Sequence, residues 1–134
     1  MRLLGIDYGE KRVGISLTDK NGEMAFPHSI IENKGFSPLA KKILEIVQKE
    51  KVKKIVVGMS LDFKGKENLI MKNLKKFTKV LEETTGLNVI FEDEMFTTAL
   101  AMRIQGKNKM TDASAATIIL QSYIEHRKKE IMEK

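Results

Sequence analysis

Leu3-Leu4-Gly5-Ile6-Asp7-Tyr8-Gly9-Glu10-Lys11-Arg12-Val13-Gly14-Ile15-Ser16-Leu17 decides the fold. An apolar run comes first and ends in one carboxylate, Asp7. A short glycine-containing turn, Tyr8 to Lys11, follows. Val13, Ile15 and Leu17 then alternate with Gly14, Ser16 and Thr18, the period of a strand. The two runs predict a hairpin. Side chains alternate across a strand, so Asp7 shares a side with Leu3 and Gly5. An ionised carboxylate beside apolar neighbours is costly unless something positive meets it. The glycines around it keep side chains away, so a metal or a phosphate can come close to the backbone. The plainer reading of Asp7 is a turn cap bonded to its own backbone.

Working outward, Asp19-Lys20-Asn21-Gly22 is a strong turn signal and predicts a third strand from about Met24 to Ile31. Pro27 cannot donate to a ladder, which puts that strand at an edge. The period then changes. Ser37-Pro38 is a helix start, with a capping hydroxyl and Pro at the first helical position. Leu39, Ile43, Ile46 and Val47 form its apolar stripe to about Glu50. Lys54 to Met59 has no alternation and reads as a strand buried on both faces, as in a parallel sheet. A polar loop, Ser60 to Lys66, leads to a long helix ending near Thr85, with Gly86 as its stop. Ile70, Leu74, Phe77 and Leu81 are its buried face. Lys72, Lys75, Lys76 and Lys79 recur on another face and read most simply as solvated. Asn88 to Glu92 is a short apolar strand. Thr97 or Thr98 caps a short helix through Ile104, and Gln105 to Met110 is a basic loop. A last helix starts at Thr111 or Asp112 and runs into a charged tail.

The predicted order is strand, strand, strand, helix, strand, helix, strand, helix, helix. Three antiparallel strands followed by parallel ones with crossover helices make an α/β fold, a mixed five-stranded sheet flanked by helices. The 134 residues suit one domain, 1–134, with one core. Twenty-four basic against 18 acidic residues leave a net charge of +6, which favours an anionic partner such as nucleic acid. The absence of cysteine excludes disulfides and thiolate metal sites. His28 and His126 are too few for a histidine-rich zinc site and read as ordinary surface or edge residues. The start of the chain lacks signal-peptide architecture, and no apolar run approaches the ~20 residues needed to span a bilayer. A soluble, cytoplasmic protein is expected, without membrane attachment.

Acids stand at three separated places: Asp7 at the end of the first strand, Glu92-Asp93-Glu94 at the end of the last, and Asp112 at the start of the last helix. In open α/β sheets ligands sit beyond the carboxyl ends of the strands. Asp112 shares a helix face with Ala116, Ile119 and Tyr123, the apolar face. Carboxylates gathered without histidine or cysteine suit hard cations such as Mg²⁺ or Mn²⁺. Two such ions about 3.5–4 Å apart can activate a water and stabilise the leaving oxygen in phosphodiester hydrolysis. Each acid also has a plainer reading, Asp112 as a helix cap and the acidic triplet as a solvated strand exit. Spacing does not choose between Glu92, Asp93 and Glu94. Lys11, Arg12, Lys64, Lys66, Lys107 and Lys109 sit in turns and loops, several of them beside these acids. Contacts from them to phosphate would position a nucleic-acid backbone without reading its sequence. Other phosphate signatures fail: six residues separate Gly58 from Gly65-Lys66 where a P-loop has four, and Glu67 replaces its Ser or Thr. Aromatic residues are too few for a stacking platform on single strands.

Four blocks resemble the bacterial YqgF/RuvX family. They are Asp7 to Ser16, Val57 to Gly65, Asp93-Glu94-Met95-Phe96-Thr97-Thr98, and Asp112 to Ala116 continuing through Ile119 to Tyr123. They occur in order over essentially the whole chain. The resemblance implies an RNase H-like fold and a metal-dependent nuclease for the precursor of 16S ribosomal RNA, a family also described as Holliday junction resolvases. It matches Asp7, Glu94 and Asp112 to the acidic catalytic positions and metal ligands. Met95 stands where the family usually has Arg, and Ser60 and Asp62 replace a usual Pro and Asn. The expected partner is structured RNA, in a ribosomal precursor particle, with the protein a monomer or a homodimer. Alternatives are resolution of four-way DNA junctions, which needs a dimer, and a nucleic-acid-binding module of weak catalysis. The Asp7-x-Gly9 turn also resembles the phosphate turn of the actin and sugar-kinase type, a fold built from two such domains.

Overall fold

The computed structural model describes residues 1–59, 69–93 and 112–132. Five strands are present: β1 (Arg2–Asp7), β2 (Arg12–Thr18), β3 (Ala25–Glu32), β4 (Val52–Met59) and β5 (Val89–Asp93). Three helices accompany them: α1 (Phe36–Glu50), α2 (Leu69–Thr85) and α3 (Asp112–Met132). The sheet order is β3-β2-β1-β4-β5. β1–β2 and β2–β3 pair antiparallel, β1–β4 and β4–β5 parallel. This is the mixed sheet that the periodicities predict. The expected short helix from Thr97 or Thr98 to Ile104 lies outside the described residues.

The alternation in β1 and β2 sorts their side chains between two helical layers. Leu4, Ile6, Val13, Ile15 and Leu17 enter the larger core with α1 and α2, where Leu39, Ile43, Leu74, Phe77 and Leu81 cover them. Leu3 and Val56 face the other way and meet Ile119, Leu120 and Ile124 of α3. On that second side the β2 residues are polar and small. Ser16 and Thr18 are nonetheless buried, because each has a hydrogen-bond partner. Ser16 Oγ donates to the Ala116 carbonyl at 2.8 Å, and the Leu3 N–H donates to Thr18 Oγ1 at 2.8 Å.

The local signals hold with small changes at the boundaries. The Asp19–Gly22 turn forms, with Gly22 at φ 71°. The Asp19 carboxylate accepts the Glu23 N–H at 2.8 Å, and this bond above all holds its pKa below the ordinary value. β3 is an edge strand, and its pairing slips between Ile15 and Ser16, opposite Pro27. The Lys72, Lys75, Lys76 and Lys79 face of α2 is exposed. Gly86 ends α2 at φ 72°, its N–H on the Glu82 carbonyl at 2.8 Å. The start of α1 differs from expectation. Gly35 is the N-cap, and Ser37 and Pro38 fall inside the first turn. Pro38 is tolerated there because first-turn N–H groups have no intrahelical partner. The end of α1 falls at Glu50 as expected, and Lys51 after it takes the left-handed conformation at φ 56°, its N–H donating to the Val47 carbonyl.

Candidate active site

Two chain ends meet beside Gly5. The Ser16–Ala116 bond fixes α3 against β1 and β2. A Cβ on Gly5 would lie 2.3 Å from Ser16 Oγ, 2.9 Å from the Ala116 carbonyl oxygen and 2.9 Å from Leu120 Cβ. The helix therefore rests on bare backbone, and only glycine leaves the room. From Ala116 the helix continues past Leu3 through Ile119, Leu120 and Ile124, so it runs against the direction of β1. Asp112 precedes Ala116 by four residues, ~6 Å along the axis. Asp7 lies two residues beyond Gly5, ~7 Å along the strand and on the same side. Both displacements point the same way. The first residue of α3 and the last of β1 thus share one end of the sheet, and Asp7 there is half-buried.

The acid-rich end of β5 arrives at that same end. Ile6 pairs with Val57, Gly58 with Glu92, and Met59 with Asp93, so Asp7 continues the Gly58–Glu92 row. Two inter-strand spacings put β5 ~10 Å from β1. The structure gives Glu92 partners on α3. Glu92 is buried, accepts a 3.4 Å hydrogen bond from Ser122 and lies 2.6 Å from His126 Nδ1. It is a tie between β5 and α3, not part of a solvated strand exit. His126 is correspondingly more than an ordinary surface residue, while His28 is exposed on β3. Sequence reasoning missed this pair because its members stand 34 positions apart in different elements. Glu94 lies outside the described residues.

The turn after Asp7 is clamped from three directions. Tyr8 stacks on Phe77 of α2 with ring centroids 5.3 Å apart. A Cβ on Gly9 would meet the Arg12 carbonyl oxygen at 2.4 Å, so the turn is tight. Asn33 bridges outward: its Nδ2 donates to the Gly9 carbonyl at 2.8 Å, and its N–H donates to the Lys11 carbonyl at 2.9 Å. Its Oδ1 accepts the Gly35 N–H at 3.1 Å, tying the turn to the start of α1. Lys11 and Arg12 are exposed on this held turn, one and two residues past Glu10. Lys64, Lys66, Lys107 and Lys109 lie outside the described residues. Asn33 is a further missed residue; an asparagine after a strand signals only a local turn.

The oxygen chemistry suits a hard divalent cation. Asp7 supplies a carboxylate, and the end of the sheet carries no thiol. Among the described residues no three histidine or acidic side chains gather into a metal-sized group. No described helix is long and apolar enough to cross a membrane.

The comparisons with known proteins agree with this architecture. Residues 1–126 match a family model described as "RuvX: Holliday junction resolvase". A relative from Caldanaerobacter subterraneus subsp. tengcongensis, named "Putative pre-16S rRNA nuclease", is 37% identical over 96% of this chain and 99% of its own length. Among solved structures, T. thermophilus RuvC in complex with a Holliday junction substrate is similar with a TM-score of 0.69 and 13% identity, over 96% of each chain. A ROK hexokinase from Thermus thermophilus is similar with a TM-score of 0.51 and 21% identity, over 77% of this chain and 38% of its own. One of these structures is titled a Holliday junction complex and the other a hexokinase, so likeness of fold by itself does not select the reaction.

Proposed function

This chain belongs to the RuvX family of nucleases, and from that premise we propose a metal-dependent endonuclease acting on structured RNA, the precursor of 16S ribosomal RNA. The one observation that carries the site assignment is the shared position of the Asp7 end of β1 and the Asp112 start of α3 across the Gly5 contact. In this reading residues 1–134 are one domain working in the cytoplasm. Its partner is a ribosomal precursor particle, met as a monomer or a homodimer.

Asp7, Glu94 and Asp112 would hold Mg²⁺ or Mn²⁺, which when bound supplies activation of water and charge stabilisation at the scissile phosphate. The chain's own residues do the positioning. Lys11 and Arg12 hold substrate phosphate on a turn fixed by Tyr8 and Asn33, so the backbone meets Asp7 at a set distance. Lys64, Lys66, Lys107 and Lys109 add further phosphate contacts. Glu92 binds His126 and so keeps the β5 exit against α3.

The test is cleavage of a labelled 16S precursor fragment with Mg²⁺, with Mn²⁺ and with chelator, beside the Asp7→Asn variant. Cutting that needs metal and disappears in a folded Asp7→Asn protein is the expected result. Undiminished cutting by that variant refutes the assignment. A second reading, resolution of four-way DNA junctions, is favoured by the family description and by the likeness to a RuvC–junction complex. It requires paired symmetric cuts by a dimer. A binding module without turnover would bind the fragment and cut under no condition.

A further inference from the structure

A second charged surface lies at the opposite end of the sheet from Asp7. A cleft of about 510 Å³ opens where α1 ends and where β1 and β4 begin, lined by Met1, Arg2, Lys20, Lys49, Lys51 and Lys53, with Glu50 among them. Arg2 and Glu50 neutralise each other through a 2.7 Å ion pair. Among the described lining residues that leaves four exposed lysines and no acid to balance them. The carboxyl end of α1 offsets part of this charge, since cations near a helix C-terminus are favourable. It does not account for Lys20, which comes from the β2–β3 turn, or for Lys53 on β4. Like charges around one concavity repel, and an anion bound between them removes that cost.

A second, independent feature marks the same place. Lys51 holds φ 56° and ψ 46°, a conformation in which helices usually end with glycine. A side chain there costs about 1 kcal/mol. Glycine would relieve the strain and remove the cation.

We propose that this cleft is a second binding site for the phosphodiester backbone of a folded nucleic acid, separate from the end where Asp7 stands. The proposal rests on the nuclease reading for its substrate, and it adds where the remote part of that substrate lies. Among the described residues no aromatic side chain lines the cleft to stack a base, which favours the backbone of a duplex over an unpaired strand as the ligand. Five residue steps separate Arg2 from Asp7, ~17 Å along β1. At no more than ~3.4 Å per step, the roughly four steps of a duplex of about five pairs cover ~14 Å and do not reach both ends, whereas the roughly fourteen steps of a duplex of about fifteen pairs cover ~48 Å and do.

The experiment compares the intact protein with a Lys49→Gln/Lys53→Gln double variant, leaving Lys51 and the helix end alone. Binding of RNA duplexes of about five and about fifteen base pairs is measured over a range of salt, with thermal melting as the control for folding. On the longer duplex the variant is expected to bind at least about fivefold more weakly, with a log–log salt slope shallower by about two. Binding to the short duplex stays the same. Equal affinity and slope for both proteins on the longer duplex would overturn the proposal. So would salt-dependent capture of phosphatidylglycerol vesicles by the lysines with no change in RNA binding. Because the readout is binding, it holds whether or not the protein cuts, and loss of cleavage in Asp7→Asn is judged separately.

Discussion

Lys51 combines two opposed effects in one side chain. Its left-handed backbone opposes stability, and its ammonium faces the basic cleft. Lys51→Gly should stabilise the fold by about 0.5–1 kcal/mol, since glycine adopts positive φ without a Cβ clash. Thermal melting should rise by a few degrees. The same variant should bind the longer RNA duplex more weakly, so stability and affinity move in opposite directions. An unchanged or lower melting temperature would show that the conformation is not strained. Nothing at position 51 in the sequence announces the turn, because a lysine after a helix is ordinary. Gly22 and Gly86, by contrast, were legible as left-handed positions, since glycine is the residue such positions favour.

Among the elements, β5 and α3 depend on each other through Glu92. A buried carboxylate needs a partner, and His126 and Ser122 of α3 supply it. His126→Ala removes the shorter contact and leaves the carboxylate only the 3.4 Å Ser122 bond, with an expected cost of about 1–3 kcal/mol. Glu92→Gln keeps a hydrogen-bonding group without the charge and should lose less. Chemical denaturation of the two variants ranks them, and an equal loss would mean that the charge is irrelevant to the tie. Strand and helix identities were readable because their periods are local: Leu39, Ile43 and Val47 mark α1, and Leu74, Phe77 and Leu81 mark α2. The Glu92–His126 pair was not readable. Its formation depends on where α3 crosses the sheet, which no window of sequence contains. The start of α1 moved from Ser37 to a Gly35 cap because Asn33 draws the Gly35 N–H into a turn.

For the molecule as a whole, the decisive contact is the seating of α3 on Gly5. A methyl group added there would overlap Ser16 Oγ, the Ala116 carbonyl and Leu120 together. Gly5→Ala should therefore destabilise by about 1–3 kcal/mol and lift the helix from the sheet. Cleavage is expected to fall well beyond what the unfolded fraction explains, because Asp112 shifts relative to Asp7. Activity in proportion to folded protein would show that the seating is structural only. Asp7 and Asp112 are legible at the ends of their elements. The glycines around Asp7 read as leaving room for a metal or a phosphate, whereas at Gly5 that room is filled by α3 and Ser16. The common location of Asp7 and Asp112 depends on the Ser16–Ala116 contact across 100 residues, which no window of sequence contains. That separation also orders events in time. Contacts between distant parts of a chain form late, after local hairpins and helices. During synthesis the β1–β2 hairpin leaves the ribosome long before α3 exists. On the proposed assignment a growing chain displays Asp7 without Asp112 until synthesis has passed α3, and a nuclease born beside ribosomal RNA stays silent until that helix docks.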